Sequence, residues 1–142
     1  MSQPATVEVD QFLPHPPARV WRALTNADLL ARWLMPNDFE ARVGHRFTFD
    51  TGNWGVTECE VLALEPERLL QISWRNGPLD TIVSWKLAPE GRGTRLIIEQ
   101  TGFDLDHPVV RAAFDAMSEG WRGPIAQRLA EILEARDPSG GV

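Results

Sequence analysis

The sequence predicts an α+β domain: one strand, two short helices, five more strands making a six-stranded antiparallel sheet, and one long C-terminal helix for the sheet to cover. Three observations predict it. Between Arg46 and Gly102 apolar residues recur at every second position, interrupted by turn-forming residues. On both sides of that stretch the apolar period becomes helical. The loops between strands are only a few residues long, too short for crossovers, so the strands form an antiparallel meander.

Thr6 to Leu13 sets Val7, Val9 and Phe12 among Glu8 and Asp10 and reads as the first strand. Pro14-His15-Pro16-Pro17 ends it and pre-sets a helical first turn. Val20, Trp21 and Leu24 then share a helical face. Thr25-Asn26-Ala27-Asp28 fits a capping box with Asp in place of Glu. A second short helix therefore starts at Asn26, carries Leu29, Leu30 and Trp33, and closes at Pro36.

In the sheet, Phe47 and Phe49 point one way and Arg46, Thr48 and Asp50 the other. Gly52-Asn53 turns the chain into a long strand from Trp54 to Leu64. Its middle, Thr57-Glu58-Cys59-Glu60, alternates poorly, which a bulge would explain. Glu65-Pro66-Glu67 turns again. Leu70, Ile72 and Trp74 mark the next strand; Asn76-Gly77-Pro78 turns; Val83, Trp85 and Leu87 mark the one after. After the Pro89 to Gly93 loop, Leu96, Ile98 and Gln100 face one way and Arg95, Glu99 and Thr101 the other.

The last helix spans roughly His107 to Ala135, on the order of 40 Å at about 1.5 Å per residue. Its apolar stripe is Val110, Phe114, Met117, Trp121, Leu129, Ile132 and Leu133, with Asp106 as N-cap. Pro124 cannot donate to the carbonyl of Gly120, so a kink is expected there. Arg136, Pro138 and Gly140-Gly141 mark the stop: one domain over 1–136 and a flexible tail over 137–142.

The net charge of −6 over 142 residues argues against nucleic acid and anionic membrane surfaces as partners. No apolar run approaches a membrane span, and Met1-Ser2-Gln3-Pro4 lacks the features of a signal peptide. Cys59 is the single cysteine, so no disulfide framework exists. Together these predict a cytoplasmic protein. Six Trp and six Phe with no Tyr is an unusual balance. These rings either fill the core or line a cavity that large, rigid side chains leave between them.

Several segments together resemble one family. Val20-Trp21-Arg22-Ala23-Leu24-Thr25 followed by Leu29-Leu30-Ala31-Arg32-Trp33 is similar to its opening helices. Pro66-Glu67-Arg68-Leu69 is similar to its hairpin, Gly93-Thr94-Arg95-Leu96 and Thr101-Gly102-Phe103 to its last strand, and Glu119-Gly120-Trp121 to its helix motif. The family is that named after the activator of the Hsp90 ATPase, within the START-like, helix-grip superfamily, and the resemblance covers roughly Glu8 to Ala135. It implies a curved six-stranded sheet wrapped around the C-terminal helix, with an apolar pocket between them. It also implies a chaperone as a possible protein partner. Leu34 stands where relatives commonly carry a second Trp, and Gly123-Pro124 is unusual in the helix, so the pocket's shape is this chain's own.

Catalytic and metal motifs are absent: no Gly-x-Ser-x-Gly occurs, and His15, His45 and His107 lack partners at ligand spacing. No cofactor or catalytic residue is assigned. Asp104-Leu105-Asp106-His107 reads as a helix cap and first-turn charge, Gly91-Arg92-Gly93 as a hairpin loop, Cys59 as a buried inert thiol. Three polar residues have two readings each. Gln100 either offers an oriented amide to a ligand or sits at the rim. His45 is a solvated edge histidine or a general base. Glu58 is an exposed strand charge or, if buried, an acid with a raised pKa.

The aromatic set is the stronger signal. The expected ligand-binding residues are Trp33, Phe47, Phe49, Trp74, Trp85, Gln100, Phe114, Met117 and Trp121. They predict a domain that binds a small hydrophobic or aromatic molecule between helix and sheet, its mouth gated by the Leu34 to Asn37 loop and the Gly123-Pro124 kink. The alternatives are a hydrolase- or cyclase-type enzyme using the same cavity, and a chaperone-related interaction module.

Overall fold

The computed structural model describes residues 5–52 and 55–134. Trp54, the turn residue Asn53, and the expected stop and tail from Ala135 onward lie outside the described residues. The elements are β1 (Ala5–Leu13), α1 (Pro17–Thr25), α2 (Ala27–Trp33), β2 (Arg46–Asp50), β3 (Val56–Glu65), β4 (Leu69–Asn76), β5 (Leu79–Glu90), β6 (Gly93–Phe103), α3 (Pro108–Arg122) and α4 (Pro124–Glu134). One antiparallel sheet holds all six strands in the order β1-β6-β5-β4-β3-β2. This is the helix-grip, START-like α+β architecture.

Register explains why one face of the sheet is continuous and apolar. Trp85 lies between Ile98 on one side and Leu70 on the other, and Val83 between Gln100 and Ile72. β1 adds Val9 opposite Ile98. All of these are buried, because period-two alternation in register puts every such residue on the helix side. The opposite face carries ion pairs such as Arg95–Asp10 and Arg75–Asp80, both 3.0 Å.

Both sheet edges are dressed. On β2, Asp38 accepts the Thr48 amide at 2.7 Å and Pro36 O accepts the Asp50 amide at 3.0 Å. On β1, Arg122 donates to Glu8 O at 3.3 Å. Such cover hinders pairing with another chain.

In β3, Thr57, Cys59 and Val61 are buried and Glu58 is exposed. The alternation is regular; small, weakly apolar residues obscure it in the sequence. The register shift falls later, between Val61 and Ala63. In the β3–β4 turn Glu67 has φ 63°, a left-handed conformation that costs an L-residue about 1–2 kcal/mol. Glu67→Gly is expected to raise stability by about 1 kcal/mol in urea denaturation.

Helix ends depart from expectation at two caps. Asn26, not Thr25, caps α2 by accepting the Leu29 amide at 3.0 Å; Thr25 instead donates to Trp21 O. His107, not Asp106, caps α3, its Nδ1 accepting from Val109. The expected kink is a full break. Gly123 leaves helical geometry (φ −118°, ψ −99°) while its amide still donates to Glu119 O. Beyond it Pro124 has no N–H to offer, and α4 starts anew. Arg19 of α1 donates to Leu133 O from Nε at 2.8 Å and again from its terminal amine, satisfying a carbonyl in the last turn of α4.

Candidate functional site

A cavity of about 230 Å³ lies between α3 and the end of the sheet where the β2–β3 and β4–β5 hairpins turn. Ala113, Ala116, Met117, Gly120 and Trp121 form its helical wall. Trp74 and Leu79 form the sheet wall, Ile125 of α4 and the Leu34-Met35 segment close the sides, and Thr51, Thr57 and Asn76 are its polar members. The space has a local cause. Ala113, Ala116 and Gly120 fall at helix spacings on the sheet-facing side, where bulkier side chains would close the gap. Two tryptophans hold the walls. Ala116 is exposed and Met35 and Thr51 are half-buried, which places the mouth between them.

The Trp121 indole is fixed by a buried hydrogen-bond chain that ends on the backbone carbonyl of Trp74. Trp121 Nε1 donates to Gln100 Oε1 at 2.8 Å, Gln100 Nε2 donates to Thr81 Oγ1 at 2.9 Å, and Thr81 Oγ1 donates to Trp74 O at 3.0 Å. Gln100 and Thr81 are 0% and 1% exposed. Each link is satisfied, which is the condition under which a buried polar chain adds rigidity.

Of the nine expected ligand-binding residues, Trp74, Met117 and Trp121 line the cavity. Phe47, Phe49 and Trp85 belong to the packed layer beside it: Phe47 meets Phe49 at 5.4 Å, Phe49 meets Trp74 at 5.1 Å, and Trp85 meets Trp121 at 5.9 Å between ring centroids. Phe114 packs edge-on against Phe103 at 5.1 Å, away from the cavity lining. Trp33 is fully buried and donates to Ala23 O at 2.8 Å, tying α2 to α1. Gln100 points inward, not to the rim, but its amide serves the tryptophan chain. Phe47, Phe49, Trp74, Trp121 and Trp85 form a continuous run of ring contacts whose flank faces open space, and Trp33 and Phe114 stand outside it. The sequence missed Ala113, Ala116 and Gly120, whose single signal is small size at helix spacings on the face toward the cavity. It also missed Thr57, whose face the pattern left open.

The other polar candidates lie elsewhere. Glu58 is exposed on the outer sheet face opposite Arg75, so it is a strand charge and not a buried acid. His45 stacks on Phe47, with Nε2 3.0 Å from Asp38 O and Nδ1 3.3 Å from Glu40, at the covered β2 edge. Burial, with a smaller contribution from Asp38, pushes the Cys59 thiol up to about 12. Since the thiolate is the reactive form, a thiol reagent at mildly alkaline pH is expected to leave Cys59 untouched in the folded protein and to label it fully in denaturant. Rapid labelling of the folded protein would contradict the burial. Among the described residues no group of three His, Cys, Asp or Glu could hold a metal ion, and no helix is long and apolar enough to cross a membrane. Asp104 instead accepts the Asp106 amide ahead of α3.

A curved sheet closed over a broken C-terminal helix, with an apolar cavity between them, defines a helix-grip domain. The family model described as "Activator of Hsp90 ATPase homolog 1-like protein" matches residues 14–134, and the chain belongs to that family. It is similar in structure to protein MLL2253 from Mesorhizobium loti, with 39% identity, TM-score 0.85, and coverage of 94% of this chain and 99% of that one. It is also similar to DynU16, a protein of the dynemicin biosynthetic locus, at 26% identity and TM-score 0.77, covering 94% of this chain and 49% of that one. A third similar structure is CalU16 from Micromonospora echinospora, at 25% identity and TM-score 0.76, covering 91% and 76%. Among curated proteins nothing matches.

Proposed function

We propose that the domain binds a small hydrophobic or aromatic molecule in the cavity between α3 and the sheet. The observation that carries this is an apolar space walled by two tryptophans, Trp121 held by its hydrogen bond to buried Gln100 and Trp74 by ring contacts with Phe49 and Trp121. Size sets the class of ligand. A cavity near 150 Å³ takes benzene, and drug-sized ligands need about 300 Å³ or more. At about 230 Å³ this one suits a molecule of one or two rings, and is too small for a sterol or a long acyl chain. The fold is shared with DynU16, a protein of the dynemicin biosynthetic locus, which is in keeping with this reading. A cytoplasmic setting belongs to it too, supported by the single unpaired Cys59; cell fractionation tests that part.

The test is a titration with bicyclic aromatics such as indole or naphthalene, followed by the indole N–H resonances of the protein. Saturable shifts are expected for the native chain. They should vanish in Ala113→Leu, which fills the cavity from its helical wall. A response that never saturates, or one that Ala113→Leu leaves unchanged, counts against the proposal.

A further inference from the structure

We infer that the cavity selects an electrically neutral ligand carrying a hydrogen-bond acceptor, and that Thr57 supplies the donor. This rests on the binding reading above and narrows it. The first observation is charge: among the described residues lining the cavity there is no Asp, Glu, Lys, Arg or His. An ionised group placed there loses its hydration and meets no opposite charge, a penalty that apolar contact does not offset. The second observation is where the polar groups sit. Thr51 follows β2, Thr57 is near the start of β3 and Asn76 ends β4, so all three gather at one end of an otherwise apolar space.

Within that group the donors are unequally committed. The Trp121 N–H is given to Gln100 and the Thr51 hydroxyl to Gly55 O. Thr57 is 1% exposed, and its Oγ1 accepts the Asn76 amide at 3.3 Å. A hydroxyl both accepts and donates, and among the described residues no acceptor meets the Thr57 proton. A carbonyl or ether oxygen on the ligand, set at the hairpin end with its ring lying against the Trp74 and Trp121 walls, completes that hydroxyl. A hydrocarbon of the same shape leaves it unmatched. A carboxylate offers an acceptor but brings a charge that no described lining residue balances.

Three probes of similar size separate these cases: acetophenone, ethylbenzene and benzoate, each titrated at neutral pH against the indole N–H resonances. Acetophenone is expected to bind about tenfold more tightly than ethylbenzene, and benzoate not measurably. Thr57→Val should bring acetophenone down to the level of ethylbenzene while ethylbenzene itself is unchanged; Thr57→Ser should keep the preference. Benzoate binding as well as acetophenone, ethylbenzene matching acetophenone on the native chain, or a preference that survives in Thr57→Val, overturns the inference while leaving the cavity a binding site. If none of the three binds, the binding reading falls and this inference with it. If Thr57→Val does not fold, the native chain still decides charge and acceptor preference, and Thr57→Ala, which also lacks the hydroxyl, decides the donor: the preference is expected to vanish, and its survival overturns the assignment to Thr57.

Discussion

Trp121→Ala is expected to destabilise the domain by about 4–5 kcal/mol, the largest effect of any single truncation we consider. Trp121 is 1% exposed, meets Trp74 and Trp85 ring to ring at 6.2 and 5.9 Å, and donates its N–H to a fully buried acceptor. Its removal takes away a large buried surface and leaves Gln100 Oε1 without its donor, two costs that act together. Against a typical stability of about 5–15 kcal/mol, urea denaturation followed by circular dichroism should show a loss of roughly a quarter or more. Trp121→Phe separates the two terms: it keeps most of the ring and loses only the donor, for about 1–3 kcal/mol. In that background Gln100→Leu should cost less than it does in the native chain, since the partner it would orphan is already gone. Additive losses would mean that the indole–amide bond contributes nothing.

Gly93→Ala is the second large effect, at about 3 kcal/mol. A Cβ on Gly93 would lie 2.4 Å from Leu13 O and 2.6 Å from the Phe12 ring. The exposed Phe12 ring can swing aside. The Leu13 carbonyl cannot, because it belongs to β1, which is paired with β6 along its whole length. The extra methyl group is accommodated only by prying the two strands apart. Gly91→Ala, two residues earlier, is the control. Gly91 has φ 58° with open space around it, so its substitution costs about 1 kcal/mol of backbone strain and no clash. Thermal melts of the two variants should differ in that order. Equal shifts would show that β1 moves without penalty.

Gly93 also shows the limit of reading glycines locally. In the sequence Gly91-Arg92-Gly93 is a hairpin loop, and the turn itself does lie there. Yet Gly93 pairs with Glu90 as the first residue of β6, and its lack of a side chain answers to Leu13, 80 residues away in the chain. The strands around it were legible because alternation is a local property that a meander leaves in register. Val83, Trp85 and Leu87, or Leu96, Ile98 and Gln100, announce their shared face within a few residues of chain. Pro124 was equally legible, since a missing N–H breaks a helix wherever it occurs. The caps were less so: Thr25 and Asn26, or Asp106 and His107, are neighbours of similar capacity, and the helix's entry angle chooses between them.

What the sequence by itself determined, then, is the order of strands and helices, the inward face of most strands, the place where the last helix departs from a straight course and the convergence of most of the aromatic rings. Those follow from spacing and from the chemistry of single residues. The cavity was decided by the tertiary structure alone. Empty space is a property of side chains that do not meet, and Ala113, Ala116 and Gly120 leave no periodic signal by being small. The fate of Gln100 was decided in the same way. Its inward face could be read from alternation. That its amide would be held between Trp121 and Thr81, leaving Thr57 as the hydroxyl with a proton to give, depended on the helix crossing the sheet at that point.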